Sequence, residues 1–124
     1  MERIKIQASK ETPFALFDGN KGVLKIQGRS TLEDPRNFYN EIIDGIDEYK
    51  KNPKEVLEVT IDLEYFNTPS ALMILHLFRK LKKAVNFKTI WVYEKDDEDM
   101  QQAGEDFEDL LKTVPFEFKE KEKE

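Results

Sequence analysis

Two periodicities run through this chain, and they predict its elements in order. From Arg3 to Ala8 the side chains alternate, with Ile4, Ile6 and Ala8 on one side and Arg3, Lys5 and Gln7 on the other. That is the pattern of a half-buried strand. Phe14 to Phe17 predicts a second strand, and Asp18-Gly19-Asn20-Lys21-Gly22 a turn, because Gly and Asn tolerate positive φ. Val23 to Gly28 returns as a third strand with Leu24 and Ile26 on one face. A helix then begins at Asp34-Pro35, where the carboxylate can cap free N–H groups and proline loses no bond. Its apolar stripe is Phe38, Ile42, Ile43, Ile46 and Tyr49, and Asn52-Pro53 ends it.

The clearest strand spans Glu55 to Tyr65. Leu57, Val59, Ile61, Leu63 and Tyr65 share one side, and Glu58, Thr60, Asp62 and Glu64 share the other. Pro69 to Val85 predicts a helix with a core stripe of Ala71, Ile74, Phe78, Leu81 and Val85. Thr89 to Glu94 reads as a strand. Met100, Ala103, Gly104, Phe107, Leu110, Leu111 and Val114 form a third helical stripe, and Phe116 with Phe118 suggests a short last strand. Lys119 to Glu124 reads as a charged, frayed tail, which places one domain at 1–118 and a disordered tail at 119–124.

The resulting order, β-β-β-α-β-α-β-α-β, predicts an α/β fold. The opening hairpin is antiparallel, and each strand-helix-strand step gives parallel neighbours, so the β-sheet is mixed. A parallel sheet covered on both faces needs strands that are apolar throughout. The central strand instead carries four polar residues on one side. The expectation is a two-layer sandwich with three main helices on one face. The open face would hold Lys5, Lys25, Glu58, Thr60, Asp62, Glu64, Trp91 and Tyr93, with Ile90 and Val92 turned into the core.

Composition narrows the function classes. The net charge is -6, with basic residues scattered among acidic ones, which argues against nucleic acid as a partner. The chain has no cysteine, so thiolate chemistry and disulfides are excluded and a reducing compartment fits. No apolar run approaches the ~18 residues that span a bilayer, and no secretory pattern is visible. The expected setting is the cytoplasm, with no membrane partner.

Catalytic sets are absent from the pattern. The one histidine, His76, falls on a polar helical face with Arg79, Lys80 and Lys83, a poor place for a base or a metal ligand. Asp96-Asp97-Glu98-Asp99 lacks the glycine and terminal glutamate of a calcium loop and reads as the acidic start of a helix. No cofactor and no metal are expected. The junction Tyr65-Phe66-Asn67-Thr68-Pro69-Ser70 is different, because there the best strand hands over to an apolar helix. With Pro69 at the first helical position, Thr68 is the expected N-cap. Its hydroxyl is also a candidate phosphorylation site: phosphate adds about -1.5 to -2 charges, and a helix N-terminus tolerates an anion. Leu72 on the polar face and Met73 at its boundary are candidate partner contacts.

These residues also carry a family resemblance. Gly22 to Ser30 reads Gly-Val-Leu-x-Ile-x-Gly-Arg-Ser. A helix with Phe38-Tyr39 follows, then Leu63-Glu64-Tyr65-Phe66-Asn67-Thr68 with Ser70. Asp97-Glu98-Asp99-Met100 and Ala103-Gly104-Glu105-Asp106-Phe107 close the pattern. Together they resemble the SiaC family of bacterial regulatory phosphoproteins, which is similar in architecture to STAS domains and anti-sigma-factor antagonists. The resemblance runs from about Ile4 to Phe118. It implies a STAS-like fold and phosphorylation on the threonine of an Asn-Thr-Ser-Ser motif, here Thr68. It implies a serine/threonine protein kinase and a PP2C-type phosphatase as partners. It further implies that the unphosphorylated form binds and regulates a diguanylate cyclase, in cyclic-di-GMP signalling that controls biofilm formation. The chain departs at Pro69, where the family usually has serine, which leaves Ser70 as a second candidate acceptor.

The reading is therefore a non-enzymatic partner-switching phosphoprotein that docks through Asn67, Thr68, Ser70, Leu72 and Met73. The alternative is a passive interaction module that forms a homodimer through Trp91 and Tyr93 on the open sheet face.

Overall fold

The computed structural model describes residues 1–122 of the chain. Nine elements follow one another: β1 (Ile4–Ile6), β2 (Phe14–Asp18), β3 (Val23–Ser30), α1 (Arg36–Tyr49), β4 (Leu57–Phe66), α2 (Thr68–Ala84), β5 (Phe87–Glu94), α3 (Glu98–Leu111) and β6 (Phe116–Lys121). The six strands form one sheet in sequence order. The β1-β2 and β2-β3 pairs are antiparallel, and β3 to β6 run parallel. Each helix crosses to the next strand in the same direction. Right-handed crossovers that never reverse direction put every helix on one face. The mixed two-layer α/β sandwich expected from the sequence is therefore the observed fold.

The core lies between the sheet and the helices. Leu57, Val59, Ile61 and Leu63 of β4 enter it, as do Phe38, Ile42, Ile43, Ile46 and Tyr49 of α1 and Ile74, Phe78 and Leu81 of α2. The start of α1 differs from expectation in detail, and that of α3 matches it. The Asp34 carboxylate pairs with the Arg36 side chain at 2.7 Å and accepts from the Arg36 N–H at 3.2 Å, while Pro35 takes the cap position. At α3 the Asp97 side chain accepts from the Met100 N–H at 3.0 Å, and Glu98 and Asp99 occupy the first turn. Opposite charge at a helix N-terminus accounts for that acidic run.

Three expectations are corrected. The parity of β5 is the reverse of that predicted. Trp91 is fully buried and Tyr93 packs against the core, whereas Ile90 and Val92 sit on the open face beside Lys25, Glu58 and Thr60. The register states the geometry directly: Trp91 pairs with Ile61, a core residue. Ile90-Trp91-Val92-Tyr93 is apolar at every position, so alternation there carries no sign. The larger side chain took the interior, where α3 offers it Gly104. A Cβ at Gly104 would stand 2.6 Å from the indole, closer than packed atoms approach.

The second correction is a bulge in β4. Gly28 pairs with Leu63 and Arg29 with Tyr65, so Glu64 is the extra residue. Gly28 sits at φ 127°, a region that favours glycine. Beyond the bulge the alternation inverts. Tyr65, expected in the core, is 50% exposed, and Phe66 packs at a ring-centroid distance of 6.4 Å from Trp91 and 6.0 Å from Phe107.

The third correction concerns the tail. Lys119 to Lys121 belong to β6 and pair with Val92, Tyr93 and Glu94. The Lys121 ammonium binds Asp62 on the open face at 2.7 Å. Part of the segment expected to fray is thus a ladder strand, and residues 123–124 of it lie outside the described residues.

Candidate functional site

The site forms where β3 and β4 end and α2 begins. Asn67, not Thr68, is the N-cap. Its Oδ1 accepts from the Ser70 N–H at 3.0 Å. Its Nδ2 donates to the Leu32 carbonyl at 3.0 Å, and its own N–H donates to the Ser30 carbonyl at 3.1 Å. Asn67 thereby clamps the helix start to the loop after β3. Asparagine caps at least as well as threonine, and it stands one residue earlier, so Pro69 falls at the second helical position rather than the first.

This shift changes what Thr68 is for. Relieved of capping, the Thr68 side chain is exposed and makes no hydrogen bond among the described residues. The anion cradle expected around it is smaller than expected. Pro69 has no N–H and that of Ser70 is taken by Asn67, which leaves Thr68 the one free donor of the first three helical positions.

Ser70 is the residue the sequence misplaced. It is fully buried, so its hydroxyl is neither a surface acceptor nor a partner contact. It belongs to a closed chain of hydroxyls beneath the helix start. The Ser70 hydroxyl donates to the Ser30 carbonyl at 3.0 Å, and the Ser30 hydroxyl donates to Ser70 Oγ at 2.7 Å. Each hydroxyl has one proton. The remaining contact, Ser30 Oγ to Tyr39 Oη at 2.7 Å, must therefore be donated by Tyr39. The chain joins β3, α1 and the first turn of α2 with every proton used.

Burial pushes the Tyr39 phenol up to about 12. The folded pKa lies above the unfolded value near 10, so the folded protein binds more protons between the two. Stability from this group is complete below pH 10 and is lost as pH rises toward 12. Two pKa units correspond to on the order of 2–3 kcal/mol. Urea unfolding at pH 9 and pH 11.5 should show a steeper loss for the natural chain than for Tyr39→Phe. Equal slopes would remove Tyr39 from the account.

Thr68, Ala71, Leu72 and Leu75 are spaced as one face of α2, and that face borders a groove against α3. The groove measures about 260 Å³, with Phe66 and Phe107 among its lining residues. Leu72 and Leu110 stand on its rims, 65% and 55% exposed. The sequence identified Leu72 but assigned Leu110 to the core, because a stripe as broad as that of α3 does not reveal its own edges. Met73 is half-buried against the core and does not line the groove. A second concavity, lined by Glu64, Tyr65, Phe66, Asp97, Asp99, Met100 and Ala103, shares Phe66 and Ala103 with the first. On the outer side of the bulge the Arg29 guanidinium lies 5.5 Å from the centre of the Tyr65 ring, within cation–π range. Sequence reading missed this pair because a bulge leaves no signature in alternation.

Among the described residues no three His, Cys, Asp or Glu side chains gather as a metal site, and no helix is long and apolar enough to cross a membrane. Fold and site define a class: a small two-layer α/β domain whose distinctive features are surfaces, a free hydroxyl beside an apolar groove. The particular family follows from comparison. The sequence model described as "SiaC family regulatory phosphoprotein" matches residues 6–121, and the chain belongs to that family.

Relatives agree. An uncharacterized protein of Pseudomonas aeruginosa strain UCBPP-PA14 is 25% identical over 122 residues, 94% of each chain. A crystal structure of the diguanylate cyclase SiaD in complex with its activator SiaC, from P. aeruginosa, matches at TM-score 0.80 and 21% identity, over 97% of this chain and 99% of that one. Apo-SiaC from the same organism matches at TM-score 0.76 and 24% identity, over 98% and 99%. These structural likenesses establish the fold.

Proposed function

We propose that this chain is a non-catalytic, cytoplasmic partner-switching protein, controlled by reversible phosphorylation of Thr68. A serine/threonine kinase adds the phosphate and a PP2C-type phosphatase removes it. The unphosphorylated form docks and regulates a signalling enzyme, for which a diguanylate cyclase is the leading candidate, since the SiaC relative is the activator of one. Through such an enzyme the protein would act on cyclic-di-GMP signalling and biofilm formation.

One observation carries the reading. The Thr68 hydroxyl is exposed and unbonded among the described residues, because Asn67 caps the helix. An ordinary structural role for the threonine is therefore already filled. Phosphate at this position leaves the cap and the buried hydroxyl chain intact, so the fold tolerates it. It also places a dianion on the helical face that borders the apolar groove. A partner that covers that face must then desolvate the phosphate. The groove face of α2, with Thr68 and Leu72, is the docking surface on this reading. Asn67 serves it as the cap that orients Thr68.

Intact-mass measurement and site mapping on protein from its native cells test the modification. The expected result is an added 80 Da, the mass of one HPO3 group, on Thr68. In a pull-down with the cognate cyclase, Thr68→Ala should bind constitutively and Thr68→Asp several-fold more weakly. Equal binding by the two variants, or phosphate mapped elsewhere, overturns the proposal.

A further inference from the structure

The side of α2 that faces α1, next to the Thr68 face, carries a feature that neither the fold nor the Thr68 site uses. His76, Arg79, Lys80 and Lys83 recur at helical spacing and form a ridge about 10 Å long. The ridge faces Asp47 of α1 and Lys50, the C-cap of that helix, across a groove of about 560 Å³ that also reaches Ala84. Lys80 and Lys50 share a single carboxylate, that of Asp47, at 2.8 and 3.4 Å. Arg79 and Lys83 have no hydrogen bond or ion pair among the described residues. Lys82, their neighbour, is otherwise employed: its ammonium donates to the Leu111 carbonyl at 2.7 Å. Among the residues that line the groove, Lys50, Arg79, Lys80 and Lys83 thus stand against one carboxylate, a formal charge of +3. The chain as a whole carries -6.

We infer that the groove between α1 and α2 is a second docking surface, and that its occupant is a short acidic segment of a partner protein. Charge complementarity selects the sign. Length selects the class. Screening confines each field to about 8 Å at physiological salt, so a segment of one to two helical turns meets the basic groove alone. A longer polyanion such as a nucleic acid strand extends past the groove and meets a chain whose net charge is -6. A groove on this flank is open to a partner while another reads Thr68 from the α3 side of the same helix. The inference is independent of the Thr68 proposal.

The test is fluorescence anisotropy with a fluorescein-labelled octaglutamate peptide at low ionic strength. The natural chain should bind it, and should bind more weakly at 150 mM salt. The pair Arg79→Glu, Lys83→Glu should lose at least about tenfold in affinity, and the neutral pair Arg79→Gln, Lys83→Gln should lose less. The control pair Lys25→Glu, Lys119→Glu on the open sheet face makes the same change in net charge and should lose little. Thr68→Asp should bind as the natural chain does, which separates failure here from failure of the phosphorylation reading. The inference is overturned if the natural chain does not bind, if both reversal pairs lose equally, or if a thymidine octanucleotide binds more tightly than the peptide.

Discussion

Trp91→Ala should destabilise the fold by about 3–5 kcal/mol, the range for truncating a buried aromatic side chain to alanine. The indole is fully buried, and its Nε1–H donates to the Met100 carbonyl at 2.9 Å. It stacks on Phe116 at a ring-centroid distance of 6.0 Å and packs on Phe107 at 5.5 Å. Removing it leaves a cavity between β5 and α3 exactly where Gly104 has no side chain to collapse inward. Domains of this size are stable by about 5–15 kcal/mol, so the variant should be marginal. The measurement is urea unfolding, with a lowered midpoint and an unchanged slope. Trp91→Phe should lose less, since it keeps ring volume and forfeits the hydrogen bond. A near-neutral Trp91→Ala would return the indole to the open face, where β5 parity from sequence had placed it, and would restore it as an anchor for a homodimer. With Trp91 inside, a charged residue at this position unfolds the chain rather than dissociating one.

Leu72→Glu should do the reverse, sparing the fold and disabling the docking surface. The side chain is 65% exposed on the groove rim, and surface substitutions of this kind fall within about 0.5 kcal/mol of neutral. In the complex proposed above, the same change puts a carboxylate against apolar surface beside Phe66 and Phe107. Desolvating an unpaired charge there should weaken binding by at least tenfold, or about 1.4 kcal/mol. Leu110→Glu, on the facing rim, should behave alike. Titration calorimetry with the cognate cyclase provides the affinity, and thermal unfolding checks the fold. If both variants bind as the natural chain does, the partner does not use the groove, whatever the state of Thr68.

The two largest departures from sequence reading have a common origin. At Trp91 and at Tyr65 the side chain that alternation placed on one face stands on the other. Neither error arose from misjudging hydrophobicity. In β5 four consecutive apolar residues make both parities equally good by pattern. In β4 a single extra residue, opposite a glycine in the neighbouring strand, inverts everything after it. Leu110 and Ser70 make the same point on helices: a stripe gives a direction, while its edges depend on what packs beside it.

The chain by itself determined its element order, the one-sided sheet, the helical core stripes and the junction at Thr68. Those features follow from local periodicity and from connections that cross over in one hand, and both are written in consecutive residues. Only the tertiary structure decided that Asn67 caps α2 and frees the Thr68 hydroxyl, that Ser70 is sealed in with Ser30 and Tyr39, and that Leu72 and Leu110 flank one groove. Each of these depends on atoms from separate strands and helices competing for the same donors and the same space, a competition that no single segment records.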